Sequence, residues 1–130
     1  MSESAATVIV VDDDASVRRG LERLLRVAGY RAETYGSAED FLARPPVAGP
    51  CCLVLDVRMP GQGGLDLYEA LTKRGEYLPA VFITGHGDIP TVVRAMKAGA
   101  VDFLTKPFDD DELLDAVRQA LNSKRRRQPG

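Results

Sequence analysis

The sequence predicts an α/β fold: an open, doubly wound parallel sheet with helices on both faces. Three observations lead there. Five short apolar or β-branched runs alternate with five stretches whose apolar residues recur at helical spacing. The third run, Cys51 to Leu55, is apolar without interruption, as a strand covered on both faces is. Glycine, proline or a capping residue marks most junctions. Alternation of this kind implies parallel strands joined by right-handed crossovers.

The first strand is Thr7 to Val11. Asp12, Asp13 and Asp14 follow at once, the later ones placed to cap a helix striped by Val17, Leu21, Leu24, Leu25 and Ala28 and stopped at Gly29. Arg31 to Tyr35 alternates and carries charge, which suits a strand near an edge. Ser37 and Asp40 have capping-box spacing and open a short helix with Phe41 and Leu42 inward; Pro45-Pro46 ends it. Gly49-Pro50 leads into the central strand, which ends abruptly in Asp56. Pro60, Gly61, Gly63 and Gly64 then turn the chain into a helix over residues 65–73. Ala80 to Ile83 is the fourth strand, ending in Thr84. Past Gly85-His86-Gly87, Asp88 caps a helix that tolerates Pro90 in its first turn, with a core stripe of Ile89, Val92, Val93 and Met96 and a stop at Gly99. Val101 to Leu104 is the last strand and runs into Thr105-Lys106-Pro107. Asp109 and Glu112 repeat the capping-box spacing before a helix with Leu113, Leu114, Val117, Ala120 and Leu121 inward. Five units are too few for the eight-stranded barrel, so a (βα)5 sheet in the flavodoxin-like order 2-1-3-4-5 is expected.

At 130 residues the chain makes one ordinary domain, over 1–123, followed by a basic tail or the start of a linker at 124–130. The balance of 17 basic and 19 acidic residues argues against a nucleic-acid surface spread over the whole chain. No segment approaches the ~20 apolar residues of a membrane span. The N-terminus lacks the regions of a signal peptide. Cys51 and Cys52 are adjacent within a strand, which fits neither a disulfide framework nor metal spacing, so they read as buried small residues of a reducing, cytoplasmic protein.

In the 2-1-3-4-5 order, strands 1 and 3 are neighbours at the switch point, where such sheets bind ligands, so Asp12, Asp13 and Asp56 converge. Thr84 and Lys106 come to the same edge. Three crowded carboxylates need a cation or protons. Hard oxygen donors without His or Cys suit Mg2+ (or Mn2+), which keeps several waters and bridges to phosphate. A cation, a lysine and a hydroxyl around one free carboxylate make a site for phosphoryl transfer, with Asp56 as the nucleophile.

These residues resemble the receiver domain of bacterial two-component response regulators over essentially residues 7–122. The matching motifs are Asp12-Asp13, Asp56 in Leu-Asp-Val-Arg-Met-Pro-Gly, Thr84 in Ile-Thr-Gly-His-Gly, and Lys106-Pro107-Phe108. The resemblance implies that Asp56 takes a phosphoryl group from a phosphohistidine of a sensor histidine kinase. It implies that Asp12, Asp13, Asp56 and the Arg58 backbone carbonyl hold Mg2+, and that Thr84 and Lys106 contact the phosphoryl oxygens. Phe103 matches the switch aromatic, and the Lys106–Pro107 bond matches one that is usually cis. Gly-His-Gly-Asp-Ile-Pro and Ala-Met-Lys-Ala-Gly-Ala-Val-Asp-Phe are most similar to the FixJ subgroup, whose full-length members carry a LuxR-type DNA-binding domain. The sigma-54 activator subgroup is the second choice, and a stand-alone receiver the third. The implied behaviour is a non-enzymatic switch that dimerises through the surface around 88–105 when phosphorylated, and touches DNA only through an output domain absent here.

Other readings of single residues are blander. Asp14 reads as a solvated helix start, His86 as a surface loop residue, and Lys124 to Arg127 as a helix end favoured by the macrodipole. A phosphatase of the haloacid dehalogenase type needs a second Asp two residues after its nucleophile, where this chain has Arg58. A flavodoxin-like electron carrier needs a phosphate loop where this chain has three acids. A non-phosphorylated interaction module would have lost Asp56 or Lys106.

Overall fold

The computed structural model describes residues 6–45, 49–59, 61–85 and 89–123. The chain alternates β1 (Thr7–Val11), α1 (Ala15–Val27), β2 (Arg31–Tyr35), α2 (Ala38–Leu42), β3 (Cys51–Asp56), α3 (Gly64–Lys73), β4 (Ala80–Thr84), α4 (Ile89–Lys97), β5 (Asp102–Thr105) and α5 (Asp110–Ser123). The strands form one parallel sheet in the order β2-β1-β3-β4-β5, both the parallel sense and the order as expected. The central strands β1, β3 and β4 are buried throughout, while charged β2 takes the edge beyond β1.

Successive strand residues point to opposite faces, and each face has its own core. On one, Ile9, Val11, Leu53, Leu55 and Phe82 meet Phe41 of α2 and Leu67, Tyr68 and Leu71 of α3. On the other, Val8, Val10, Val54, Val81 and Ile83 meet Leu21 and Leu25 of α1 and Leu113, Val117 and Ala120 of α5. Cys51 and Cys52 form no disulfide and lie fully buried in β3. Burial, reinforced by Cys51, holds the Cys52 thiol well above its ordinary range, so it is packing and not a nucleophile.

Local signals act as their chemistry dictates. Asp14 caps α1 by accepting from the Ser16 and Val17 N–H groups, and Ser37 caps α2 by accepting from the Asp40 N–H. Glu112 reaches back to accept the Asp109 N–H at 2.9 Å. Gly29 and Gly99, the stops of α1 and α4, adopt φ of 99° and 109°. The bounds of β5 differ by one residue from the expected 101–104, although the Val101 N–H already bonds Ala80 O.

One element departs from its sequence pattern. Ile89, Val93 and Met96 of α4, expected in the core, are 77%, 44% and 46% exposed, and Val92 is half-buried. The covered face runs through Val92, Ala95 and Ala98 instead, with Ala95 fully buried. At about 100° per residue this face is turned roughly a third of a rotation from the Ile89–Val93–Met96 stripe. Small alanines let α4 lie close on a short edge strand, and the larger residues are left to solvent. Asp88, the expected cap of this helix, lies outside the described residues, as do Pro46, Pro60, His86 and the tail at 124–130.

Candidate functional site

Strand register builds the site. Val11 pairs with Leu55, so Asp12 and Asp56 emerge side by side from β1 and β3. Asp56 pairs with Ile83, which puts Thr84 one residue further along the same edge. Thr84 pairs with Thr105, and Lys106 follows, its N–H donating to Thr84 O at 2.7 Å. The residues after four parallel strands thus share one carboxyl-terminal edge, where an open α/β sheet binds its ligand.

The turn after β3 is tightly built. After Asp56 the chain folds back so tightly that a Cβ on Gly64 would stand 2.3 Å from Asp56 O, so only glycine fits. The Lys106–Pro107 peptide is cis.

Asp12 is fully buried and Asp56 is 5% exposed. Asp12 Oδ1 accepts the Asp14 N–H at 2.9 Å, and Asp12 Oδ2 receives Lys106 Nζ at 3.2 Å. Asp56 Oδ1 accepts the Arg58 N–H at 3.2 Å, and its Oδ2 lies 3.8 Å from Lys106 Nζ. The ammonium therefore straddles two carboxylates. Even so, burial and the Asp12 charge push the Asp56 carboxyl up from 3.8 to about 6, against the opposing pull of Lys106 and the Arg58 N–H. One lysine does not compensate this much buried negative charge.

Asp12, Asp13 and Asp56 each offer one oxygen, all within 4.8 Å of one another. That spacing lets one small cation bridge them. Asp13 is solvent-exposed, which leaves room for the waters that Mg2+ retains. The excess acid and the donor set both fit a hard divalent cation.

Of the expected site residues, Asp12, Asp13, Asp56 and Lys106 come together as one cluster. Thr84 is fully buried at the same edge. Arg58 is exposed and contributes its N–H to Asp56. Phe103 pairs with Phe82, half-buried against the α2–α3–α4 core. Asp14 is the exposed cap of α1. His86 lies outside the described residues. The sequence reading missed Arg18, whose Nη1 donates to the Asp12 backbone oxygen at 2.7 Å. The available signal was its place one turn after Asp14, since helical side chains lean toward the N-terminus.

Residues 8–118 match the response regulator receiver domain. The chain belongs to that family. It is 51% identical over 126 residues to nodulation protein W of Bradyrhizobium diazoefficiens, covering 97% of this chain and 56% of the relative. It is 46% identical over 114 residues to transcriptional regulatory protein FixJ of Azorhizobium caulinodans, covering 88% and 54%. The solved structure of FixJ-N superposes with a TM-score of 0.84 at 42% identity, over 92% of this chain and 96% of that one. The receiver is FixJ-like, and it spans about half the length of the curated relatives it matches. Receivers of this family are signalling proteins that work with sensor histidine kinases, and phosphorylation and Mg2+ dependence are typical of them. Among the described residues no helix is long and apolar enough to cross a membrane.

Proposed function

We propose that Asp56 is the phosphoacceptor of a two-component switch. The observation that carries this reading is the meeting of Asp12, Asp13, Asp56 and Lys106 at the ends of neighbouring strands. An Asp56 Oδ attacks the phosphorus of a phosphohistidine on the kinase; the O–P bond forms, the N–P bond breaks, and the imidazole leaves. A carboxylate needs no general base, and at neutral pH a group titrating near 6 is mostly ionised. Lys106, already within 3.8 Å of Asp56, neutralises the arriving oxygens. Thr84 offers a hydroxyl from the next strand. Asp12, Asp13, Asp56 and the Arg58 carbonyl would hold Mg2+. When bound, that ion neutralises charge on the carboxylates and on the transferred group.

The response is a change of state. The acyl phosphate draws Thr84 and Lys106 inward, Phe103 follows, and the surface around 88–105 changes. That surface presents Ile89, Val93 and Met96 to solvent, an apolar stripe suited to a second copy of the chain. The name of the FixJ relative supports a transcriptional output. Such output would be exerted through a LuxR-type domain, with 124–130 as the start of the connection to it.

Intact mass after incubation with acetyl phosphate and Mg2+ tests the acceptor. We expect one phosphoryl group on wild type and none on Asp56→Asn, and no adduct on wild type when a chelator is present during the incubation. Equal modification of both proteins would refute the assignment. Thr84→Ala keeps the adduct and loses phosphate-dependent dimerisation by light scattering; normal dimerisation would refute the switch.

A further inference from the structure

The acidic turn after β1 is held from outside the acid cluster. Its backbone is fixed at Asp12 from two directions: the N–H donates to Tyr35 O at 3.1 Å, and the oxygen accepts Arg18 Nη1 at 2.7 Å. Arg18 itself is confined. Its guanidinium lies over Gly36, where an added Cβ would come within 3.1 Å of Nη1 and 3.5 Å of Cζ. The arginine thus links α1, the end of β1 and the loop after β2. It points its charge at a peptide oxygen while its neighbours Asp12 and Asp13 keep their carboxylates for the cluster.

We propose that Arg18 is a positioning residue for the cation site, locking the Asp12 peptide so that the Asp12 and Asp13 carboxylates stay aimed at one point. The proposal rests on the reading of Asp12, Asp13 and Asp56 as cation ligands. Outer groups that orient ligands are commonly worth 10- to 100-fold in metal affinity. The sign of the effect separates positioning from simple charge. An arginine beside three acids repels a cation, so removing its charge would tighten binding if electrostatics were all it contributed. Removing a brace weakens binding instead. A side chain at position 36 crowds the guanidinium without removing its charge, because its Cβ would meet Nη1 at 3.1 Å and the arginine must give way by a small shift.

The test is calorimetric titration of Mg2+ into the unphosphorylated full chain. Wild type, Asp13→Asn, Arg18→Met, Arg18→Lys and Gly36→Ala are compared, each with a melting curve. We expect Arg18→Met to weaken Mg2+ about tenfold, Arg18→Lys to restore part of the loss, and Gly36→Ala to fall between wild type and Arg18→Met. Unchanged or tighter binding by Arg18→Met overturns the proposal. If that variant does not fold, Arg18→Gln takes its place, and wild-type affinity there overturns the proposal equally. Failure of wild type to bind Mg2+, or full affinity in Asp13→Asn, overturns the cation-site reading and the Arg18 role with it. Normal wild-type binding with no effect of Arg18 overturns only the latter.

Discussion

The two sides of the sheet are built to different standards. β1 and β3 are buried along their whole length and braced by α1 and α5, whose Leu21, Leu25, Leu113, Val117 and Ala120 fill one face. On the other side β5 is only partly buried, and α4 buries Ala95 while leaving Ile89, Val93 and Met96 outside. The carboxylates stand on the well-packed side. Thr84 stands at the border, and Phe103 and α4 belong to the loose side. A charge change at Asp56 therefore meets a fixed acid cluster on one hand and an under-packed element on the other. Local stability is lowest where apolar contacts are few, and moving parts are drawn from such regions.

The sharpest way to break this comparison is to truncate one residue on each side. Leu113→Ala removes a fully buried side chain and should cost about 2–5 kcal/mol in urea unfolding. Met96→Ser alters an exposed one and should stay within about 0.5 kcal/mol, while weakening the pairing of the phosphorylated protein. A similar cost for both would mean that α4 is as firmly packed as α5.

A second effect, on the order of 2 kcal/mol, concerns the well-packed side alone. The Asp56 carboxyl is raised from 3.8 to about 6. The native state therefore holds a proton that the unfolded chain has already released. This group's contribution to stability is greatest below pH 4 and is lost as pH rises to about 6. Unfolding of metal-free wild type and Asp56→Asn at pH 4.5 and 7 measures it. The variant should gain on wild type at pH 7, and parallel pH profiles would contradict the raised pKa. Saturating Mg2+ should shrink that gap, because it stabilises the native acids by mass action.

What was legible in the sequence follows the same division. Strand order, the acid cluster and Lys106 could be read because a buried parallel strand is an apolar run and its last residue must lie at the ligand edge. The α4 stripe could not be read correctly. A 3.6-residue period shows that a helix has an apolar face, not which surface covers it, and Ala95 and Ala98 left no strong mark in the pattern. Arg18 was hidden for another reason: its partner is a backbone oxygen, which no residue type announces. The role of Arg94 was equally invisible, since its partners lie a full strand away in sequence.

Arg94 is the smallest lever and the most informative about α4. Its Nη2 lies 2.9 Å from Glu69 Oε1 and 3.3 Å from Asp66 Oδ1, joining α4 to α3. All three side chains are largely exposed, so solvent screening leaves the pairs little to contribute to global stability. In a helix whose one buried residue is Ala95, these pairs are nonetheless a direct tie between α4 and α3. Arg94→Ala should leave the unfolding midpoint almost unchanged, yet speed amide exchange through residues 89–97 relative to α5. High salt should speed the same amides in wild type, because exposed pairs are screened. Unchanged protection of α4 in both experiments would show that its seat on β5, through Ala95 and Ala98, is sufficient by itself, and that the loose side is looser in exposure than in motion.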